Sequence, residues 1–178
     1  MFRRSVIIAT CWSLFYLGNA AFARSDDGFD SIHCGSDIAK ALVGKHMSND
    51  TIVVSEKKHQ DLGLKHTGAD EISDSLNTVS WLICGQEFLV LEDGSVVADV
   101  IKIPEHSKTS PEFMSMCEIN GKEEIVFAIL DNEKETNEKT LPAKVAWKID
   151  VKKAKFVSLP VEGLRCPRNG IITTDGGR

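Results

Sequence analysis

The sequence lacks the short motifs that most often indicate enzyme chemistry. It has no G-x-S-x-G segment to place a nucleophilic serine on a sharp turn, and no glycine-rich loop for phosphate. Its cysteines form no C-x-x-C pair and its histidines no H-E-x-x-H pattern, which argues against compact zinc and thiol-redox sites. Catalytic side chains can still meet from distant parts of a chain, so these absences disfavour enzymatic function without excluding it.

The amino end is the first informative stretch. Arg3 and Arg4 precede an uncharged, mostly apolar run at residues 5–17, and Ala21-Phe22-Ala23 has the small-x-small pattern of a secretory cleavage site. We therefore predict that residues 1–23 form a signal peptide cleaved after Ala23. The alternative is an uncleaved membrane anchor, but the apolar core is shorter than the roughly 20 residues that a spanning helix needs.

Removal of this segment leaves a chain of ordinary single-domain size. We predict one disulfide-stabilised, β-rich domain at residues 24–168, which begins with a loose acidic leader at 24–30, and a flexible tail at 169–178. An even number of cysteines in an exported chain predicts two disulfides and a periplasmic or secreted location. Four cysteines remain after cleavage: Cys34, Cys84, Cys117 and Cys166.

Three disulfide pairings are possible, and the sequence does not choose among them. We favour Cys34–Cys84 and Cys117–Cys166, each of which closes a loop of about 50 residues and contributes roughly 4 kcal/mol on the chain-entropy estimate. Asn49-Asp50-Thr51 is a glycosylation sequon, which matters only in a eukaryotic source.

The first part of the domain predicts few regular elements. Ser36 or Asp37 can cap a short helix at about 37–43, whose apolar positions share one face. Residues 51–56 are rich in β-branched side chains and predict a strand. Residues 57–74 are charged and irregular, and they fit either a long functional loop or a plain connection.

From residue 77 onward, short apolar runs alternate with turn residues. Asn120-Gly121 predicts a two-residue hairpin turn, and the run 125–130 that follows predicts a strand covered on both faces. Apolar and polar residues alternate along 143–150, which predicts a strand with one buried face. Further strands are predicted at 79–84, 87–91, 96–103 and 154–159.

These elements predict the α+β class. Short connections favour sequential antiparallel pairing, since parallel neighbours need long crossovers. We expect a strongly bent antiparallel sheet or open barrel of about seven or eight strands, with one short N-terminal helix packed on it. Trp81 and Trp147 fall within strand patterns and are predicted to lie in or near the core.

The five histidines invite a metal hypothesis. His59 and His66, with Asp61, Asp70 or Glu71 nearby, offer imidazole and carboxylate ligands. Their spacing matches no compact metal pattern, so we predict solvated loop histidines and assign no metal, no cofactor and no catalytic residue. The other histidines are His33, His46 and His106.

Charge is unevenly distributed along the chain. Residues 24–138 carry 10 basic and 23 acidic side chains, whereas residues 139–170 carry 8 basic and 2 acidic ones. A lysine strip in the basic part is a candidate surface for an acidic protein or an anionic envelope polymer. Lysines on an exposed sheet face also prevent strand-to-strand aggregation, which is the competing explanation. The strip consists of Lys144, Lys148, Lys153 and Lys155.

These observations favour a non-enzymatic module that binds a macromolecule outside the cytoplasm, with an inhibitor-like role as one form. Its partner is an unidentified protein or an anionic envelope polymer. We predict no nucleic-acid partner, because the compartment is wrong for one and interleaved aromatic residues are missing. Membrane contact would require an uncleaved signal segment. The alternative function is a small hydrolase or metal-dependent enzyme with its site at residues 57–74.

Overall fold

The computed structural model describes residues 27–47, 51–106, 112–131 and 139–167, without the side chains of 112–116. The predicted cleavage site at Ala23, the tail at 169–178 and Asn49 lie outside these residues. Among the residues described, no helix is long and apolar enough to span a membrane. The helices are α1 (Ile38–Leu42) and α2 (Ile52–Lys58), with 3-10 turns at Gly28–Ser31 and Gln60–Leu62. The strands are β1 (Lys65–Glu71), β2 (Leu76–Ile83), β3 (Gln86–Asp93), β4 (Val96–Lys102), β5 (Glu112–Ile119), β6 (Lys122–Leu130), β7 (Thr140–Asp150), β8 (Lys155–Leu159) and β9 (Leu164–Pro167).

The first four strands form an antiparallel meander in the order β1-β2-β3-β4. The two-residue turn between β2 and β3 has positive φ at both central residues, Cys84 (53°) and Gly85 (74°). Asp37 caps α1 by accepting a hydrogen bond from the Lys40 backbone N–H at 3.1 Å. Helix α1 and the 3-10 turns pack on one face of the meander and share a core with it that includes Phe29, Leu42, Trp81, Phe88 and Val90, while α2 packs beside β1.

The other five strands form a second sheet in the order β6-β5-β9-β7-β8. An additional pairing between β6 and β7 closes the strands β6, β5, β9 and β7 into a small barrel. Strand β8 pairs with β7 outside this barrel. At the β5–β6 hairpin, Asn120 (φ 51°) and Gly121 (φ 78°) adopt the positive φ values expected of the two-residue turn. The barrel core contains Cys117, Val126, Ala128, Leu130, Leu141, Ala143, Ala146, Leu164 and Cys166.

An apolar layer joins the meander to the barrel. Leu89 and Ile103 from the meander pack against Phe127 and Ile129 from the outer face of the barrel. β6 therefore buries residues on both faces, as its uninterrupted apolar run predicts. The exception is Ile125, the first residue of that apolar run, which is 62% exposed.

Both disulfides favoured on loop length are present. Cys34 bonds Cys84 and thereby ties the chain before α1 to the β2–β3 turn, and Cys117 bonds Cys166 inside the barrel. Two disulfides indicate an oxidising, extracytoplasmic compartment. The α+β class with few helices and mostly antiparallel strands is confirmed, although the described residues form two sheets and nine strands rather than one sheet of seven or eight.

Two local predictions are wrong. Residues 51–56 lie in helix α2, because tertiary contacts along one face of the helix, including the burial of Ser55, override the strand propensity of the β-branched residues. Residues 57–74 are not a long irregular loop, since they contain a 3-10 turn and strand β1.

The alternation predicted along β7 is also interrupted. Ile129 pairs with Val145 and Leu130 with Ala143, so a bulge at Lys144 shifts the pattern. Ala146, predicted to face solvent, is fully buried in the barrel, and Trp147 lies half-buried in the layer between the sheets.

The two disulfides allow a direct comparison of loop closure and packing. Their sequence separations are 50 and 49 residues, so the chain-entropy contribution of each is about 4 kcal/mol. We expect C34A/C84A to lower the free energy of unfolding by about that amount. C117A/C166A should cost more, because both cysteines are fully buried and their loss leaves a cavity in the barrel. Urea unfolding of both variants measures the difference, and equal losses would contradict the packing contribution.

Candidate functional site

The first candidate site is a cluster of ionisable side chains where α2 ends against the chain before α1. Asp27 and His59 are both buried, and His59 Nε2 lies 3.0 Å from Asp27 Oδ2. The Lys58 ammonium lies 3.3 Å from the same oxygen and 2.8 Å from Asp30 Oδ1. Two carboxylates, one ammonium and one imidazole therefore share a single site.

This arrangement corrects two expectations. The leader was predicted to be loose, but Asp27 caps the 3-10 turn at Gly28–Ser31 and is fixed by α2. His59 was predicted to be solvated, but it is 5% exposed and its ring lies 5.5 Å from that of Phe29. Neither the Asp27–His59 contact nor the Asp27–Lys58 contact is visible in the sequence, since the partners are more than 30 residues apart.

The cluster also offers ligand atoms for a metal. Asp27, Asp30 and His59 each place one ligand atom within 4.8 Å of the others, the only such group among the residues that the structure describes. Lys58 already contacts both carboxylates and supplies the positive charge that a cation would bring. Of the residues considered as ligands from the sequence, His59 belongs to this group, while His66, Asp61, Asp70 and Glu71 lie outside it.

Ion pairing shifts the titration of the more exposed members. The hydrogen bond from Lys58 holds the pKa of Asp30 below its ordinary value, despite some opposing desolvation. The same bond raises the pKa of Lys58. A lowered carboxyl pKa contributes stability above the unfolded value and loses it as pH falls through the folded value. The cluster therefore stabilises the fold at neutral pH and weakens in acid.

Lys58→Met tests this account of the cluster. We expect a loss of about 1–3 kcal/mol in the free energy of unfolding at pH 7, because the buried Asp27 carboxylate loses a charged donor. The acid-induced loss of stability below about pH 4 should also become shallower, because Asp30 loses the Lys58 hydrogen bond that contributes most to its lowered pKa. Urea unfolding at several pH values measures both effects. Lys57→Met, at an exposed position on the same helix, is the matched control, and an equal loss there would contradict the assignment.

The second candidate site is an apolar groove of about 300 Å³ between the end of β1 and the outer face of the barrel. Its floor includes Phe127 and Trp147, whose ring centres lie 5.9 Å apart. Ile125 and Val151 at the opening are 62% and 51% exposed. The apolar lining consists of Ile72, Ile125, Val126, Phe127, Trp147, Ile149 and Val151.

One rim of this groove is acidic. Asp70 and Glu71 from β1 lie on the rim, both exposed and without an ion pair to any residue in the described part of the chain. Lys148 lines the opposite side, but its Nζ lies 3.7 Å from Glu124. The groove thus combines an apolar floor with uncompensated negative charge along one edge.

The lysines of the predicted strip are mostly close to carboxylates. Lys144 Nζ lies 4.0 Å from Asp131, and Lys153 Nζ lies 3.1 Å from Asp150. Lys148 faces Glu124, as described above, while Lys155 pairs across the ladder with the backbone position of Asp150. The bulge at Lys144 also breaks the alternation on which the strip was based.

The remaining histidines occupy separate places. His106 Nε2 lies 2.7 Å from Glu87 Oε2, and His46 Nδ1 lies 3.4 Å from Ser95 Oγ. His33 is exposed beside Cys34, and His66 packs edge-on against Trp81. The structure therefore brings no two of the five histidines into one metal-binding group among the residues it describes.

Comparison of the chain with protein-family models, with curated proteins and with solved structures finds no match in any of the three.

Proposed function

We propose that this protein is an exported, non-enzymatic binding module of the periplasm or extracellular space, and that it recognises an extended peptide segment of a partner protein in the groove beside β1. The observation that carries the proposal is the apolar floor around Phe127 and Trp147, open to solvent at Ile125 and Val151. An exposed apolar patch rimmed by polar residues is one form that an interaction site takes.

The charges beside the groove indicate the chemistry of the partner. Asp70 and Glu71 border the groove without compensating cations among the described residues. The β1 and β6 side of the groove belongs to residues 24–138, which have a strong acidic excess, whereas the β7 side belongs to the basic part at 139–170. A peptide with Lys or Arg next to apolar side chains complements both features, and the apolar contacts supply most of the binding energy.

The geometry favours peptide recognition over a small-molecule site at this position. The groove is bounded by a strand on one side and by a barrel wall on the other, and aromatic floors of this kind receive apolar side chains of a bound segment. An inhibitor-like role, in which such a segment belongs to a hydrolase, is one form of this function.

Selection from a displayed random peptide library tests the proposal. We expect enriched sequences with one basic residue flanked by apolar ones, and affinity that falls as salt rises because the charge contacts are exposed. Ile125→Asp should weaken binding of a selected peptide by tenfold or more. Val53→Asp is the matched control, since Val53 is 72% exposed on α2, and it should leave affinity unchanged.

Two outcomes count against the groove. The first is equal loss of binding in Ile125→Asp and Val53→Asp. The second is a selection that enriches no consensus sequence, combined with binding of the protein to polyglutamate. In that case, charge reversal of Lys144, Lys148 and Lys155 should abolish the polyglutamate binding. That result would instead support the lysine strip and an anionic partner.

A metal-dependent enzyme with its site around residues 57–74 is the second candidate function. The group formed by Asp27, Asp30 and His59 favours it, while the position of Lys58 opposes it. Calorimetric titration with Zn²⁺ and Mn²⁺ discriminates between the two. Stoichiometric binding that disappears in His59→Ala would favour the enzyme.

A further inference from the structure

A second cavity, of about 180 Å³, lies between α2 and the helix-covered face of the meander. Strand pairing places the residues that line this cavity next to one another. His66 pairs with Trp81 and Ala69 with Val79, so these side chains share one face of the sheet. Glu92 pairs with Asn77, which lies on the same face as Val79 and Trp81. Phe29 and Ile52 close the cavity from the side of the helices.

Two nitrogen atoms of residues that line this cavity are buried without hydrogen-bond partners: Trp81 Nε1 and His66 Nε2. Trp81 as a whole is only 5% exposed. Native proteins rarely leave buried polar atoms unpaired, because each costs on the order of 1–3 kcal/mol. The indole N–H can only donate, so whatever satisfies it must bring an acceptor atom.

Glu92 adds a third polar group to the same walls. It lies in a partly buried, mostly apolar setting, and it forms no ion pair with any residue in the described ranges. Burial raises the pKa of its carboxyl, which is consistent with the absence of a compensating donor. Its oxygens are therefore available to accept a hydrogen bond from an O–H or N–H group.

The aromatic walls determine the rest of the chemistry. The ring of Phe29 packs edge-on against Trp81 at 5.2 Å, and His66 does so from the other side at 5.3 Å. A mostly apolar enclosure with a few convergent polar groups is the usual form of a small-molecule site. The pocket is open to solvent beside the exposed residues Ile52 and Ala69. Its volume exceeds the roughly 150 Å³ of an enclosed cavity that accommodates benzene, so it has room for a single-ring compound.

We propose that this cavity binds a small, mostly apolar molecule of about six to ten non-hydrogen atoms, whose carbonyl oxygen accepts from the Trp81 indole and whose N–H or O–H group donates to Glu92. A primary carboxamide on a single ring has both groups. The site is separate from the peptide groove, and the proposal does not depend on the proposed function.

The test is a titration of the purified, oxidised protein with benzamide, with toluene as the ring that lacks both polar groups. Two-dimensional proton–nitrogen NMR follows the indole N–H signals. Saturating benzamide should shift the Trp81 indole signal and leave that of Trp147 unchanged. Toluene should bind at least tenfold more weakly, because it cannot satisfy the buried nitrogen.

Two variants separate recognition from folding. Trp81→Phe keeps an aromatic ring and removes the N–H, so benzamide affinity should fall about five- to tenfold. Ala69→Leu adds bulk at an exposed wall position and should abolish binding while urea unfolding remains close to wild type. Trp147→Phe is the matched control and should bind benzamide as wild type does.

Three binding results would overturn the proposal. They are the absence of saturable benzamide binding, equal affinity for toluene and benzamide, and unaltered binding in both Trp81→Phe and Ala69→Leu. Persistent magnetisation transfer from water to the Trp81 indole proton at saturating benzamide would also overturn it, since the cavity would then be a site for ordered water.

Discussion

The apolar layer between the two sheets is the contact on which the rest of the structure depends. Each disulfide lies within one half of the molecule: Cys34–Cys84 in the helix-covered meander, and Cys117–Cys166 in the barrel. No described covalent cross-link therefore joins the halves, which are held by Leu89, Ile103, Phe127 and their neighbours. A bond from the Phe156 backbone N–H to Asp99 Oδ2, at 2.9 Å, adds one polar tie between β8 and β4. The peptide groove is an edge of this same layer, because Phe127 and Trp147 contribute to both.

Burial on both faces explains which strands the sequence predicted best. β3 and β6 contain continuous apolar runs, since one face of each packs in its own half and the other packs in the layer between them. Such runs and their turn residues are local properties, and Asn120-Gly121 alone identifies a hairpin. The preferred cysteine pairing rested on the length of the loop that each disulfide closes, which is counted directly from the sequence.

The missed elements depend on long-range contacts. β9 has four residues and no local strand pattern; it forms because it pairs with β5 and β7 and because Cys166 is bonded to Cys117. β1 lacks apolar alternation, and its register with β2 contains a bulge. The candidate sites were less predictable still. Asp27 contacts His59, which is 32 residues away in the sequence, and the pairing of Trp81 with His66 depends on the β1–β2 register.

β1 links the two proposed binding sites. Successive residues of a strand point to opposite faces, so Ala69 borders the cavity under α2 while Asp70 borders the groove against the barrel. Within the described chain β1 pairs with β2 alone, and most of its side chains are exposed, so its position is less constrained than that of the central strands. A small molecule that fixes Ala69 and His66 would also fix the acidic rim at Asp70. The strand that the sequence identified least clearly is thus the one that borders both proposed sites.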